Sequence, residues 1–149
     1  MRLDYALAAV GCGASARGVT NMEASSPALM GRRILVVEDE SMVSMLIEDA
    51  LVDMGCVVVA LASRFEDGLA KARTLAFDAA VLDVNLAGER SFGIADALRQ
   101  RKLPFVFATG YGTGSIPESL RSAPILQKPF SPGELERALL RALESSQNA

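Results

Sequence analysis

The side chains of this chain that could do chemistry sit in four short stretches, each at or near the end of an apolar run. Glu38-Asp39-Glu40 follows Ile34-Leu-Val-Val37, and Asp83 stands inside Ala79-Ala-Val-Leu-Asp-Val84 with Asn85 next to it. Thr109 closes Phe105-Val-Phe-Ala-Thr109, and Lys128-Pro129 follows Ile125-Leu-Gln127. There is no histidine, which excludes a Ser-His-Asp triad, a Cys-His pair and a histidine-ligated zinc. Carboxylates, hydroxyls and lysine must carry any reaction. Taken alone, Glu38-Asp39-Glu40 reads as a solvated turn or a helix cap. Asp83 does not, because an ionised side chain in an apolar run needs partners. Two carboxylates about 4 Å apart repel by roughly 4 kcal/mol at an effective dielectric of about 20, and a third worsens the cluster. A divalent hard cation relieves the repulsion, and Mg2+ suits a few carboxylates, a backbone carbonyl, waters and phosphoryl oxygens. Beside such a cluster, the Lys128 ammonium and the Thr109 hydroxyl are parts that stabilise charge on a transferring phosphoryl group. Asp83 is then the nucleophile, and its product is an acyl phosphate.

These residues can act together only if a fold gathers the ends of the runs. The runs at 34–37, 57–60, 79–84, 105–109 and 125–127 are short, β-rich and apolar on both faces, as strands of a parallel sheet covered on both sides must be. Helical periods lie between them. Val43, Leu46, Ile47, Ala50, Leu51 and Met54 form one stripe that ends at Gly55, a C′ residue. Phe65, Leu69, Ala72 and Ala76 form a second, with Ser63 and Glu66 as its expected capping box. Residues 91–101 form a third helix. Ser131-Pro-Gly-Glu134 opens the last with a cap, an N1 proline and an N3 glutamate. The fourth crossover, 112–122, holds two glycines and Pro117, so any helix there is short. Five strands alternating with five helices predict a doubly wound α/β domain with a five-stranded parallel sheet in the order 2-1-3-4-5, the flavodoxin-like arrangement. That order brings the ends of strands one, three, four and five to one rim, where such folds do their work.

Composition sets the outer limits. Half of the 149 residues are apolar and 22% are charged, the makeup of one globular domain. The slightly acidic net charge, with no Lys/Arg run and no Trp, leaves no nucleic-acid footprint, and no apolar run approaches the roughly 20 residues that span a membrane. Cys12 and Cys56 match no metal or redox spacing, so two free thiols in a reducing cytoplasm are expected. Residues 1–31 are rich in Ala, Gly and Ser and read as a loose extension, with 32–149 as the domain. The stretch from Leu3 to Cys12 slightly resembles an export signal, but Asp4 interrupts it. An alternative is that translation starts at Met22 or Met30.

The motifs Ile34-Leu-Val-Val-Glu-Asp-Glu40, Val81-Leu-Asp83, Thr109 and Lys128-Pro129-Phe130, in this order, resemble the CheY-like receiver domains of response regulators over residues 34–143. The resemblance implies that Asp39, Asp83 and the Asn85 carbonyl bind Mg2+, with Glu38 acting through water. It implies that Lys128 and Thr109 hold the phosphoryl group on Asp83 and that Lys128-Pro129 is a cis peptide. Two positions depart from the pattern. Glu38 replaces the commoner Asp, and Ile125 stands where many receivers carry a switching aromatic. Phe107-Ala-Thr-Gly-Tyr111 resembles the signature of a subgroup of stand-alone receivers, the FATGUY family. Activation is therefore expected to run through Thr109, Gly110 and Tyr111, the alternative being that Tyr111 is a surface loop aromatic.

The resulting expectation is a cytoplasmic single-domain response regulator. Asp83 would be phosphorylated by a histidine kinase or histidine phosphotransferase, and the domain, a monomer or weak dimer, would signal to an unknown downstream protein or act as a phosphate sink. It would assist its own phosphorylation without being an enzyme on a separate substrate. A pseudo-receiver that binds partners without phosphorylation is the alternative. An aspartyl-phosphate hydrolase of the haloacid-dehalogenase kind is disfavoured, because Asn85 stands where its second catalytic acid would be.

Overall fold

The computed structural model describes residues 26–148. Its sheet is built from β1 (Arg33–Val37), β2 (Val57–Ala62), β3 (Ala79–Asp83), β6 (Phe105–Thr109) and β7 (Ile125–Gln127), all parallel, in the order β2-β1-β3-β6-β7. Counting only these five, the order is 2-1-3-4-5, as expected. A two-stranded antiparallel hairpin, β4 (Asn85–Leu86) with β5 (Glu89–Arg90), follows β3 and was not expected. Four helices flank the sheet: α1 (Ser41–Asp53), α2 (Phe65–Thr74), α3 (Phe92–Gln100) and α4 (Pro132–Asn148).

Because side chains alternate along a strand, each central strand feeds two cores. Ile34 and Val36 of β1, Val81 of β3 and Val106 of β6 join Ile47 and Leu51 of α1 and Leu135 and Leu139 of α4 on one face. Leu35 and Val37, Leu82, and Phe105 and Phe107 join Ala72 of α2 and Ile94 and Leu98 of α3 on the other. β1, β3 and β6 are thereby fixed on both faces, and their ends form a rigid rim.

Helix ends follow local chemistry. At the end of α1, Gly55 adopts φ +89°, Gly55 N–H donates to the Val52 carbonyl and Cys56 N–H donates to the Leu51 carbonyl, a Schellman ending. At the start of α4, Ser131 N–H donates to Glu134 Oε1 (2.8 Å) and Glu134 N–H to Ser131 Oγ (3.1 Å), the expected capping box.

Several expectations need correction. α2 begins one residue later than the Ser63 box requires: Arg64 is its N-cap without a side-chain bond, and Glu66 and Asp67 favour the first turn by charge alone. Ala76 lies beyond the end of α2 and is exposed, while Phe77 takes the buried place. Leu46 belongs to the helical period of α1 but is 67% exposed, beside exposed Met42 and Met45. The fourth crossover forms two 3-10 turns, Thr113–Ser115 and Glu118–Leu120, so the expected fifth helix is absent.

The last residues assigned to the N-terminal extension are packed. Pro27–Leu29 forms a 3-10 turn, Leu29 is completely buried in the core beneath α1 and α4, and Ser26 N–H donates to Glu136 Oε2 (3.2 Å). The Cys56 thiol is free and buried against the Leu29 carbonyl (3.4 Å), and burial pushes its pKa up. Cys12 and the alternative start at Met22 lie outside the described residues. Among the described residues, no helix is long and apolar enough to cross a membrane.

Candidate functional site

The rim at the carboxyl ends of β1, β3, β6 and β7 collects every side chain that the sequence singled out for chemistry. Glu38 and Asp39 follow β1, and Glu38 N–H donates to the Ala62 carbonyl of β2 (2.9 Å), which continues the sheet to the first acidic residue. Asp83 is the last residue of β3 and is 5% exposed. One carboxylate oxygen each from Glu38, Asp39 and Asp83 can be chosen so that all three lie within 4.8 Å of one another. Such a set, with two of its three carboxylates buried, suits a hard divalent cation.

Lys128 follows β7 and brings its Nζ to 2.9 Å from Glu38 Oε1 and 3.3 Å from Asp83 Oδ2. Lys128 N–H donates to the Thr109 carbonyl (2.8 Å), and the Lys128-Pro129 peptide is cis, as the family resemblance implied. Glu38 Oε2 accepts from Glu40 N–H (3.2 Å), so both oxygens of Glu38 have protein partners. Thr109 is buried, and its Oγ1 accepts from Tyr111 N–H (3.1 Å), which leaves the hydroxyl hydrogen to donate. Around Gly110 a Cβ would meet nothing within 4 Å, and Tyr111 is 81% exposed. Ile125 is half-buried, pairs with Phe107 and packs against the core on the α2 and α3 side.

Burial, more than any neighbour, pushes the Asp83 carboxyl up to about 7. The hydrogen bond and charge of Glu38 add to the rise, Lys128 opposes it, and Asp39 contributes a smaller upward push. For Lys128 burial pulls downward, but the hydrogen bond to Glu38 and the charges of Asp83 and Glu38 outweigh it, so its pKa is raised. Three ionised carboxylates with one ammonium would leave the site strongly negative, and a divalent cation fits that balance.

The hairpin places two further groups that the sequence reading missed. Ala87 N–H donates to Asp39 Oδ2 (3.1 Å), and Gly88 N–H donates to Asn85 Oδ1 (3.0 Å). Asn85 N–H also approaches Asp83 Oδ1 at 3.4 Å. The available signal was the glycine of Leu86-Ala-Gly-Glu89, the second central residue of a two-residue turn.

A family model described as the response regulator receiver domain matches residues 34–140. The chain is similar to the solution structure of SdrG from Sphingomonas melonis Fr1, with 40% sequence identity over 77% of this chain and 98% of that one and a TM-score of 0.69. It is also similar to the receiver domain of the sensor histidine kinase PA1611 from Pseudomonas aeruginosa PAO1 (26% identity, 76% of this chain, 98% of that one, TM-score 0.66). That crystal structure has a magnesium ion coordinated in the active site cleft. The response regulator PhyR from Brucella abortus aligns at 25% identity over 80% of this chain and half of its own, with a TM-score of 0.69. A search of curated proteins gives no match.

Proposed function

Because the chain belongs to the response regulator receiver domain family, we propose that Asp83 accepts a phosphoryl group from a histidine kinase or histidine phosphotransferase in cytoplasmic two-component signalling. The observation that carries this reading is the convergence of Glu38, Asp39 and Asp83 with Lys128 Nζ 3.3 Å from Asp83 Oδ2. Mg2+, when bound, supplies positive charge that neutralises the carboxylates and the phosphoryl oxygens. Asp39, Asp83 and the Asn85 carbonyl would hold it, with Glu38 acting through water. An Asp83 oxygen attacks phosphorus, the phosphorus–nitrogen bond of a donor phosphohistidine breaks, and the imidazole leaves and takes up a proton. Lys128 and the Thr109 hydroxyl donate to the equatorial oxygens of the group in transfer. The domain is thus a phosphoacceptor that assists its own modification.

The donor imidazole must be presented from outside, and a surface beside the rim fits that need. A groove of about 480 Å³ runs between α1 and the segment after β7, lined by Val43, Leu46, Ile47, Pro129, Phe130 and Leu135, among others. Met42 and Met45 of α1 are exposed as well. A helix of the phosphodonor laid against α1 would cover these side chains and bring its histidine to Asp83. The phosphorylated domain then acts through protein contacts or as a phosphate sink, with the loop after β6 as its moving part.

The test is phosphorylation by acetyl phosphate and by a histidine phosphodonor. Asp83→Asn should abolish both while keeping the fold, because it removes the nucleophile and conserves the volume. Leu46→Asp should impair transfer from the histidine donor and leave acetyl phosphate labelling unchanged. Wild-type labelling of Asp83→Asn would defeat the site.

A further inference from the structure

We propose that the β4–β5 hairpin is a positioning element for the cation site, holding the Asp39 carboxylate in place through the Ala87 backbone N–H. This rests on the reading of Glu38, Asp39 and Asp83 as a magnesium site.

The hairpin is tied at every point. Its base is closed by Ser91 N–H donating to the Val84 carbonyl (2.9 Å), and its strands pair Asn85 with Arg90 and Leu86 with Glu89. Leu86 is 2% exposed and belongs to the core cluster of Ile94 and Phe107, so one side of the ribbon is anchored in the protein interior. The connecting residues, Ala87 at φ +51° and Gly88 at φ +93°, both have positive φ, as the tight two-residue turn that suits strand twist requires. Gly88 N–H is held by Asn85 Oδ1 at 3.0 Å.

This geometry delivers a single exposed donor, Ala87 N–H, to Asp39 Oδ2 at 3.1 Å, across 48 positions of sequence. Alanine is an uncommon residue at positive φ, and the left-handed conformation costs it energy that glycine would not incur. Asp39 itself lies between β1 and α1 and is only partly buried. A carboxylate there that turned freely would have to be ordered whenever a cation bound. A bond from the hairpin to one oxygen restricts the rotation of the carboxylate beside Glu38 and Asp83, so part of that ordering is done in advance. Loss of a partner that orients a metal ligand typically costs about 10–100-fold in metal affinity.

The test is Mg2+ titration of the unphosphorylated full-length chain, followed by amide NMR. Gly88→Val puts a β-branched residue at φ +93° and should open the turn. We expect it to weaken Mg2+ binding about tenfold. Ala87→Gly keeps both N–H groups and removes the unfavourable conformation, so its affinity should stay within about twofold of wild type. Acetyl phosphate labelling of Gly88→Val should require more Mg2+ for half-saturation yet reach the wild-type maximum. If Gly88→Val does not fold, Gly88→Ala carries the test, with a smaller loss in the same direction. Unchanged Mg2+ affinity in the folded Gly88→Val or Gly88→Ala variant, with wild type binding normally, would overturn the hairpin's role. A wild-type chain that binds no Mg2+ would overturn the site itself.

Discussion

Asp83 shows how much a single residue takes from its neighbours. In an apolar strand end beside Glu38 its carboxyl is pushed up to about 7, mainly by burial, so near neutral pH the cation-free domain holds a proton there much of the time. Two consequences have definite signs. The folded state binds a proton over the window from the usual carboxylate range to about 7, where an unfolded chain does not. Stability of the cation-free domain should therefore fall as pH rises through that window and level off above it, the reverse of a salt-bridged aspartate. Mg2+ must displace the proton, so its affinity should drop as pH falls below about 7, by at most about tenfold per unit if one proton is released. Isothermal titration at pH 6 and pH 8 measures this directly, and equal affinities would show that Asp83 is ionised throughout. The residue types at this site were legible in the sequence because each departs from an apolar run. Which neighbour each would meet was not. The pairing of Lys128 with Glu38 at 2.9 Å joins residues 90 positions apart, and only the parallel sheet order brings them together.

At the scale of elements, legibility followed the strength of the local signal. Gly55 marks a helix end through its positive φ, Ser131 and Glu134 through side chains that cap backbone N–H groups, and the structure uses all three. Ser63 is an equally good cap in principle, yet Arg64 occupies that position; no feature of the structure explains the shift by one residue. Leu46 fits the helical period of α1 and is exposed, since periodicity reports a face and not what covers it. The loop after β6 is the element on which switching should depend. Thr109 is its buried anchor, Gly110 has open space around it, Gly112 sits at φ +87°, and Tyr111 projects outward. A phosphoryl group shifts such a loop only as far as it binds two loop states differently, and the free Thr109 hydroxyl hydrogen supplies that difference. Ile125, the first residue of β7 and packed against the core, offers no hydroxyl to exchange partners. With beryllofluoride and Mg2+, the largest backbone NMR changes should fall between Gly110 and Ser115, with much smaller ones at Ile125. Changes centred on Ile125 and β7 with a quiet glycine loop would refute this assignment.

At the scale of the whole molecule, the two cores on either face of the sheet hold the rim rigid, and one of them reaches further toward the N-terminus than composition indicated. Ala, Gly and Ser enrichment over the first residues reads as an extension, and that signal carries no warning that an apolar residue near its end is used. Leu29 is such a residue: it is completely buried in the cluster that includes Ile47, Leu51, Met54 and Leu139, and its own carbonyl accepts from the Cys56 thiol. Of the two alternative starts, Met22 keeps this residue and Met30 discards it. Truncating a buried leucine to alanine costs about 2–5 kcal/mol through lost transfer energy and the cavity left behind. A chain beginning at residue 30 also gives up the bond from Ser26 N–H to Glu136. Two truncations, beginning at residues 26 and 30, should therefore differ in stability by about 2–5 kcal/mol, with the longer one more stable. For a domain of this size that is a difference in Tm on the order of 10 °C, measurable by circular dichroism. Leu29→Ala in the full-length chain should lose a similar amount while keeping Mg2+ binding, because the rim lies at the opposite ends of the strands from Leu29. Equal midpoints for the two truncations would mean that Leu29 is not a core residue and that the packed domain begins where composition placed it.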